Sequence, residues 1–526
     1  MTPPAQSTAT PPKENVFRRA GKAVGRFFAK IGRGIANYFR PVGQAFVHGD
    51  VWTKLSFLVS GLGYFCHGRE QEIYGHEVVQ DENGRSASVV TKSTHYVTQW
   101  LRGFFYLAIE AIAILVLVFW GIPNFAKLSL QNLAVCTLDP ETFEEICPPG
   151  GADNSFLIVL LSVISILVLI AFFFLHISAI KGVYRSEVDI KENRPIKTAR
   201  QDVHALFDEH FYITTLVLPI IGILVFTLVP TLVMILIAFT NYGGKDAAGQ
   251  TVDINNFSWV GWTNWSNLFS IGGGSSFLMV FGQQLLWTLV WAFFATITCF
   301  FGGLLLALLL NSKRTRLTKV WRTGFVLTIA VPQFVTLMLI RYFLDDNGIV
   351  NNLLVEKWHL LSQPIGFLTD PMTTKFTIIL VNCWVGFPYL MLMISGILMN
   401  IPSDLYESAR LDGASRSRMF FSITMPYILQ VCTPYLISSF VSNINNFNVI
   451  YLLTMGGASS NQAYIDVNAR ESDLLITWLY NMIAGGAKHE YYMASIVGII
   501  MFTISTLFTL ITFTQTTKGD RERRLG

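Results

Sequence analysis

Three stretches carry residue types and spacings that could do chemistry. Residues 376–399 contain NCWVGFPY, in which Asn382, Gly386 and Tyr389 recur at steps of four and three, so a helix puts them on one face. Residues 427–455 contain SSFVSNINNFNVIYLL, where Ser439, Asn443 and Asn446 repeat those steps. Amides, hydroxyls and aromatic faces inside apolar runs suit hydroxyl-rich ligands, because each hydroxyl taken from water needs a partner. The same groups can also join helices without any ligand, which is the reading for Asn445 and Asn448, off the stripe. Trp384 offers either a stacking platform or a lipid or helix contact. The third stretch, residues 400–426 (NIPSDLYESARLDGASRSRMFFSITMP), predicts two short helices joined at Gly413, with Ser403 or Asp404 as first N-cap. Such a knob suits a groove on a partner.

Other chemistries find no footing. There is no G-x-x-x-x-G-K-[ST] phosphate loop, so no nucleotide site. The six cysteines show no C-x-x-C and no metal spacing; Cys299, Cys383 and Cys432 sit in apolar runs as small packing residues. No acid–base pair or nucleophile with its base occurs in the apolar segments, so no catalytic or metal residues are assigned and the chain is not read as an enzyme. The central turns hold no Asp, Glu or Lys to bind a coupling ion, which weighs against an ion-coupled secondary sugar transporter, the alternative reading. Glu110 and His176 lie near segment ends and read as helix-pairing or snorkelling groups, and Arg341 as reaching headgroups.

The elements that must position these residues are membrane helices. Of 526 residues 52% are hydrophobic and only 14% charged, against about 25% charged in soluble chains. Eight apolar segments approach the roughly 20 residues that cross a bilayer: about 103–122, 155–180, 216–239, 285–310, 324–344, 376–399, 427–455 and 491–513. The seventh is weakened by SNINNFN. With the N-terminus in the cytoplasm, 31 of the 38 Lys and Arg fall in inside segments, 6 in outside loops, and Arg341 within a span. That asymmetry orients an even number of spans with both termini cytoplasmic. Cations spread over separate loops make no nucleic-acid surface.

The N-terminal residues 1–102 form a cytoplasmic region without a signal peptide. From Phe17, apolar positions at three- and four-residue steps alternate with Arg18, Arg19, Lys22, Arg26, Lys30 and Arg33, a basic amphipathic helix suited to an anionic leaflet. Residues 55–65 read as an interfacial or packed cytoplasmic segment, and 69–99 as a surface loop with a turn at 81–84. Cys136 and Cys147 share an outside loop as a disulfide or as two free thiols.

Glu407-Ser408-Ala409, Asp412-Gly413-Ala414 and Ile423-Thr424-Met425-Pro426 resemble the EAA loop of binding-protein-dependent ABC permeases, with Ser408 and Met425 in place of Ala and Leu. The NxWxGxPY and NxNNFxxIxLLTxGG runs are similar to the maltose-type (MalF-type) permeases of that family, from about Phe211 to the C-terminus. The resemblance implies an all-α integral membrane protein of about eight transmembrane helices with the type I ABC importer permease fold. Residues 103–180 are then two accessory spans and 211–526 the six-helix core, with the EAA coupling loop at 400–426. It implies ATP-driven import of maltose- or maltodextrin-type oligosaccharides across the bacterial cytoplasmic (inner) membrane by alternating access. Glu407, Ser408, Ala409, Asp412 and Gly413 would dock on an ATPase. Asn382, Gly386, Tyr389, Ser439, Asn443 and Asn446 would meet sugar, joined by Gln333, which with Ile329 flanks Pro332 where maltose-binding members carry Ser and Tyr. The implied partners are a second, MalG-like permease subunit, two ATP-binding subunits that hold ATP and Mg, an extracytoplasmic sugar-binding protein, and the lipid bilayer. The outer loop after the third span, 240–283, lacks the large insertion of some members but keeps Trp259, Trp262 and Trp265.

Overall fold

The computed structural model describes residues 16–80, 86–131, 133–134, 137–138, 145–148, 152–244, 252, 255–269, 275–312, 314–455, 459, 461–485 and 489–525. Among the described residues seven helices are long and apolar enough to span a bilayer: Trp100–Lys127, Ser155–Lys191, Phe211–Ile237, Phe277–Asn311, Pro371–Met399, Arg416–Ile444 and Tyr491–Thr512. A broken pair, Thr318–Ala330 and Gln333–Lys357, bent by 96°, makes the eighth and stands fifth in chain order. The protein is thus a helical, multi-pass membrane protein with the expected segments.

Two spans depart from straight rods, and each departure has a local cause. The expected span at residues 324–344 is present but broken in two: Val331 is extended (φ −78°, ψ 128°) between its helices. Pro332 pushes its predecessor out of the helical region and has no N–H for the next turn. The seventh span ends at Ile444 and restarts at Phe447. Asn446 caps the restart, its Oδ1 accepting from the Val449 N–H at 3.2 Å.

The chain divides into two compact units, Met1–Leu128 with Leu157–Leu232, and Ser129–Phe156 with Val233–Gly526. In the first, the amphipathic segment is a helix over Val16–His48. Its Tyr38 and Phe39 meet Phe174 and Phe173 of the second span at ring-centroid distances of 6.3 and 6.5 Å, and Lys181 caps the Tyr38 ring at 3.0 Å. Residues 55–65 do not form a span. They make a turn between short helices Val51–Leu55 and Leu62–Cys66, with Ser56, Ser60 and Tyr64 buried. Glu110 and His176 hold that turn: Glu110 Oε2 accepts from the Ser60 N–H at 2.6 Å, while His176 contacts the Ser60 hydroxyl through Nδ1 and the Phe57 carbonyl through Nε2. They are pairing groups inside the fold, not snorkelling ones.

The polar stretch read as a surface loop is instead an antiparallel hairpin, β1 (Gly68–Gln80) with β2 (Ser86–Thr98). Its proposed turn lies outside the described residues. Gln71 of β1 exchanges two hydrogen bonds with the Ile196 backbone, at 2.9 and 3.0 Å. Arg102 grips Asp202 bidentately at 2.8 and 2.5 Å. Asp50, His67 and Glu187 bring ligand-type atoms within 4.8 Å of one another. Lys191 lies 2.5 Å from Glu187, and His67 2.8 Å from Asp50, so each carboxylate has a partner within the fold and the cluster ties residues 50–67 to the second span. Burial would raise the Asp50 carboxyl, but hydrogen bonds from Thr53 and His67 outweigh it and leave it below its ordinary value.

In the second unit the fourth span, Phe277–Asn311, is the spine. Trp291 is fully buried, its indole N–H donating to the Asn443 carbonyl at 3.1 Å. Against the sixth span the backbones come close: a Cβ on Gly303 would stand 2.6 Å from Leu390 Cβ and 3.0 Å from the Met391 nitrogen. Small residues at such crossings let membrane helices pack without a hydrophobic driving force. Cys147 is disulfide-bonded, while Cys136 lies outside the described residues. Cys66, Cys299, Cys383 and Cys432 are free.

Candidate functional site: a coupling knob and a split polar set

The knob forms as a nine-residue helix, Ser403–Leu411, a turn, and a short helix, Arg416–Met419, which runs through a wider π turn at Phe420–Thr424 into the seventh span. The N-cap expectation is corrected: Pro402 holds that position without a side-chain cap, and the Ser403 hydroxyl turns to Asp404 Oδ1 at 3.2 Å. Proline's fixed φ orders the entry, which leaves Ser403 already inside the helix. The exit is as expected. Gly413 has φ +74°, the Gly413 N–H reaches the Arg410 carbonyl at 3.0 Å and the Ala414 N–H the Ala409 carbonyl at 2.9 Å. Those two bonds with a left-handed glycine are the Schellman arrangement.

The knob is pinned from one side only. Tyr406 Oη meets Thr424 Oγ1 at 2.8 Å, while Glu407, Ser408, Asp412 and Gly413 are exposed, Ala409 is half-buried and Leu411 is 90% exposed. Leu411 thus stands open at the tip of an ordered helix, beside the exposed Glu407.

The membrane-depth residues divide into two groups. Asn382 and Gly386 face the fourth span: Asn382, 8% exposed, puts Nδ2 3.5 Å from Cys299 Sγ, and a Cβ on Gly386 would lie 2.7 Å from that sulfur. Asn443, 9% exposed, donates through Nδ2 to Thr296 Oγ1 at 3.1 Å and accepts through Oδ1 from Asn446 Nδ2 at 3.3 Å. Asn446 spends its own Oδ1 on the helix restart. These amides are engaged with protein. The remaining residues are open: Tyr389 is half exposed, with its ring 5.6 Å from Tyr435; Ser439, one turn on from Tyr435, is half-buried; Gln333 is exposed as the first residue after the Pro332 break. The sequence reading put all seven in one set, and the fold brings Tyr389 and Tyr435 together while directing Asn382 and Gly386 to Cys299. Tyr435 was missed; its spacing of four from Ser439 was the available signal.

A further polar group lies in residues 456–490, a segment the sequence left unexamined. Asp473 is buried, and its Oδ2 accepts from the Arg470 N–H and from Asn481 Nδ2, both at 2.8 Å. Burial pushes its carboxyl up to about 7, against the pull of the Thr477, Arg470 and Asn481 contacts.

Residues 300–514 match the family model for the binding-protein-dependent transport system inner membrane component. The maltodextrin transport system permease protein MalC of Streptococcus pneumoniae serotype 4 is 29% identical over 437 residues, 81% of this chain and 94% of its own length. The galactooligosaccharides transport system permease protein GanP of Bacillus subtilis strain 168 is 28% identical over 435 residues, 81% of this chain and 95% of its own. The maltose/maltodextrin transport system permease protein MalF of Escherichia coli K12 is 31% identical over 260 residues, 49% of each chain.

Proposed function

We propose that this chain is a membrane-spanning permease subunit of an ABC sugar importer, and that its cargo is a maltodextrin-type oligosaccharide carried across a bacterial cytoplasmic membrane by alternating access. The observation that carries the coupling half of this reading is the knob: an ordered helix, closed by a left-handed Gly413, that leaves Leu411 and Glu407 turned outward. Cargo rests on likeness to maltodextrin permeases along nearly their whole length.

Two ATP-binding subunits, holding ATP and Mg, close outside this chain and pull on the knob. Glu407, Ser408, Ala409, Asp412 and Gly413 meet their surface. The knob continues into the seventh span without a flexible linker, so its displacement moves the helix that carries Ser439 and Tyr435. The broken fifth span and the Asn445–Asn446 interruption supply hinges where backbone can turn without unpicking a continuous helix. Sugar released from an extracytoplasmic binding protein meets Tyr389, Ser439 and Gln333 first. Asn382, Gly386, Asn443 and Asn446 reach it only if those hinges reorient them. A second permease subunit completes the pathway.

Purification of the tagged chain from its native membranes in mild detergent tests the assembly. Co-recovery of an ATPase and a second permease is expected, with ATP-dependent uptake of labelled maltotriose by the reconstituted complex. Uptake driven by an ion gradient without ATP overturns the reading. Uptake of a galactooligosaccharide in preference to maltotriose overturns the cargo alone.

A further inference from the structure

In the second unit a cavity of about 260 Å³ is lined by Tyr451, Met455, Ile465, Asn468, Arg470, Tyr480, Asn481 and the backbone near Gly485. It lies among the second half of the seventh span, Phe447–Thr454, and the short helices Gln462–Ile465 and Leu475–Ala484. By the charge asymmetry this is the outer end of the pathway. We propose that the cavity is a capture subsite for one pyranose ring of the incoming oligosaccharide, separate from the mid-membrane residues. It rests on the sugar-importer reading and adds a second contact point to it.

The lining has the two components a sugar ring needs. Tyr451 and Tyr480 stand at 5.0 Å and 73°, and Phe447 packs on both, at 4.8 and 5.0 Å. Each ring immobilises the others, so an apolar sugar face finds a platform already ordered, and little side-chain entropy is lost on binding. The polar component keeps its hydrogen-bonding capacity, the Arg470 guanidinium being drawn to Asp473 by charge alone. The side chains of Asn468 and Arg470 are half-buried and make no hydrogen bond to another described residue. Asn481 gives its Nδ2 to Asp473 and keeps its carbonyl oxygen as an acceptor. A guanidinium fork, a complete amide and a free carbonyl match hydroxyls that both donate and accept.

The groups are also held in place. Arg470 is fixed at both ends of its peptide, its N–H on Asp473 at 2.8 Å and its carbonyl on Gln284 Nε2 at 2.5 Å. Two lining residues adopt left-handed backbone, Asn468 at φ +53° and Met455 at φ +49°. Asparagine tolerates that region; a methionine there is sustained only by its surroundings. Arg470 is itself out of place for orientation, being one of only 6 cations in the outside loops. The volume falls just below the roughly 300–1,000 Å³ of sites for drug-sized ligands, which fits one ring and not a whole oligosaccharide.

The test is protection of an introduced thiol in the assembled complex in nanodiscs, with maltotriose as probe. Asn468→Cys is labelled by a maleimide, the rate of the parent chain with its native thiols being subtracted. Maltotriose is expected to slow labelling at least fivefold, and sorbitol at the same concentration to leave it unchanged. Should the thiol variant fail to assemble, Arg470→Gln serves instead, with an expected rise of about fivefold in the KM for maltotriose uptake, the scale of one lost hydrogen bond. Wild-type uptake with no protection, or with an unmoved KM in Arg470→Gln, overturns the subsite alone. Protection by the sugar-free binding protein and not by maltotriose also overturns it, making the cavity a protein-docking face. No maltotriose uptake by the wild-type complex overturns the cargo reading and the subsite together.

Discussion

The knob at 403–419 and the amides of the sixth and seventh spans were singled out by the same kind of signal, polar residues in a recognisable order, yet they sit in opposite physical states. The knob leaves its distinguishing residues outward and unpaired: Leu411 is 90% exposed and Glu407 exposed. The amides are inward and satisfied, Asn443 on Thr296 and Asn446, and Asn382 on Cys299. A group that its own chain leaves open is available for a partner. A buried group that is already paired stabilises the fold first, and meets a ligand only by exchanging one bond for another.

The sharpest way to break this contrast is at the knob's tip. Leu411→Asp is expected to cut maltotriose-stimulated ATPase activity of the complex by more than about tenfold, on the scale of losing an interface anchor. The melting temperature of the isolated chain should stay within about 1 °C, since a surface change with no lost contact is worth under about 0.5 kcal/mol. Glu407→Ala should reduce coupling less. Full ATPase stimulation in both variants would mean that the knob is not the transmission element.

At membrane depth the contrast predicts a split between binding and stability. Tyr389→Ala, on a half-exposed ring, should raise the KM for maltotriose about tenfold, equivalent to about 1.4 kcal/mol, with little change in melting. Asn443→Ala should lower stability by about 1 kcal/mol and shift KM less, because it leaves Thr296 and Asn446 without their partner. An Asn443→Ala chain of normal stability with a tenfold KM defect would move Asn443 from helix pairing to the sugar.

Much of this architecture was legible beforehand because bilayer-length apolar runs and cation counts are properties of sequence alone. Gly413 was legible as well, since a glycine after a short amphipathic run has few other uses. The break at Pro332 was visible as a proline in mid-span, but the 96° bend depends on which neighbours hold the two halves. The hairpin at 68–98 was missed. The side of a helix was the harder problem: a step of four and three puts Asn382, Gly386 and Tyr389 on one face, but that face is wide enough to touch Cys299 at one edge and Tyr435 at the other. The outer cavity joins residues from 451 to 485 across three helices, a juxtaposition no local pattern announces.

The Gly386–Cys299 contact separates packing from sugar binding at a single position. Gly386→Ala should cost about 1–3 kcal/mol by overpacking, because the new methyl would stand 2.7 Å from the sulfur. Cys299→Ala in the same chain removes that sulfur and should restore most of the loss, giving a coupling energy above about 0.5 kcal/mol in the double-mutant cycle. A Gly386→Ala defect in KM that Cys299→Ala leaves untouched would assign the glycine to the ligand.

A last test lies at Asp473, which shares with the amides a buried position but holds a titratable group. Burial raises its folded-state carboxyl from 3.8 to about 7. Between those values the folded chain holds a proton that the unfolded chain has released, so stability conferred by the protonated form is complete below about pH 4 and declines as pH rises to 7. Above 7 both states are ionised and the loss levels off. Asp473→Asn keeps an acceptor for Arg470 and Asn481 without the charge. Its melting temperature should therefore fall less than the parent's between pH 5 and pH 8, the two curves crossing within that window. Parallel curves would mean that Asp473 is ionised throughout, held by the Arg470 N–H and the Asn481 amide, and that the turn carrying Arg470 and Asn481 owes its order to charge and not to a shared proton.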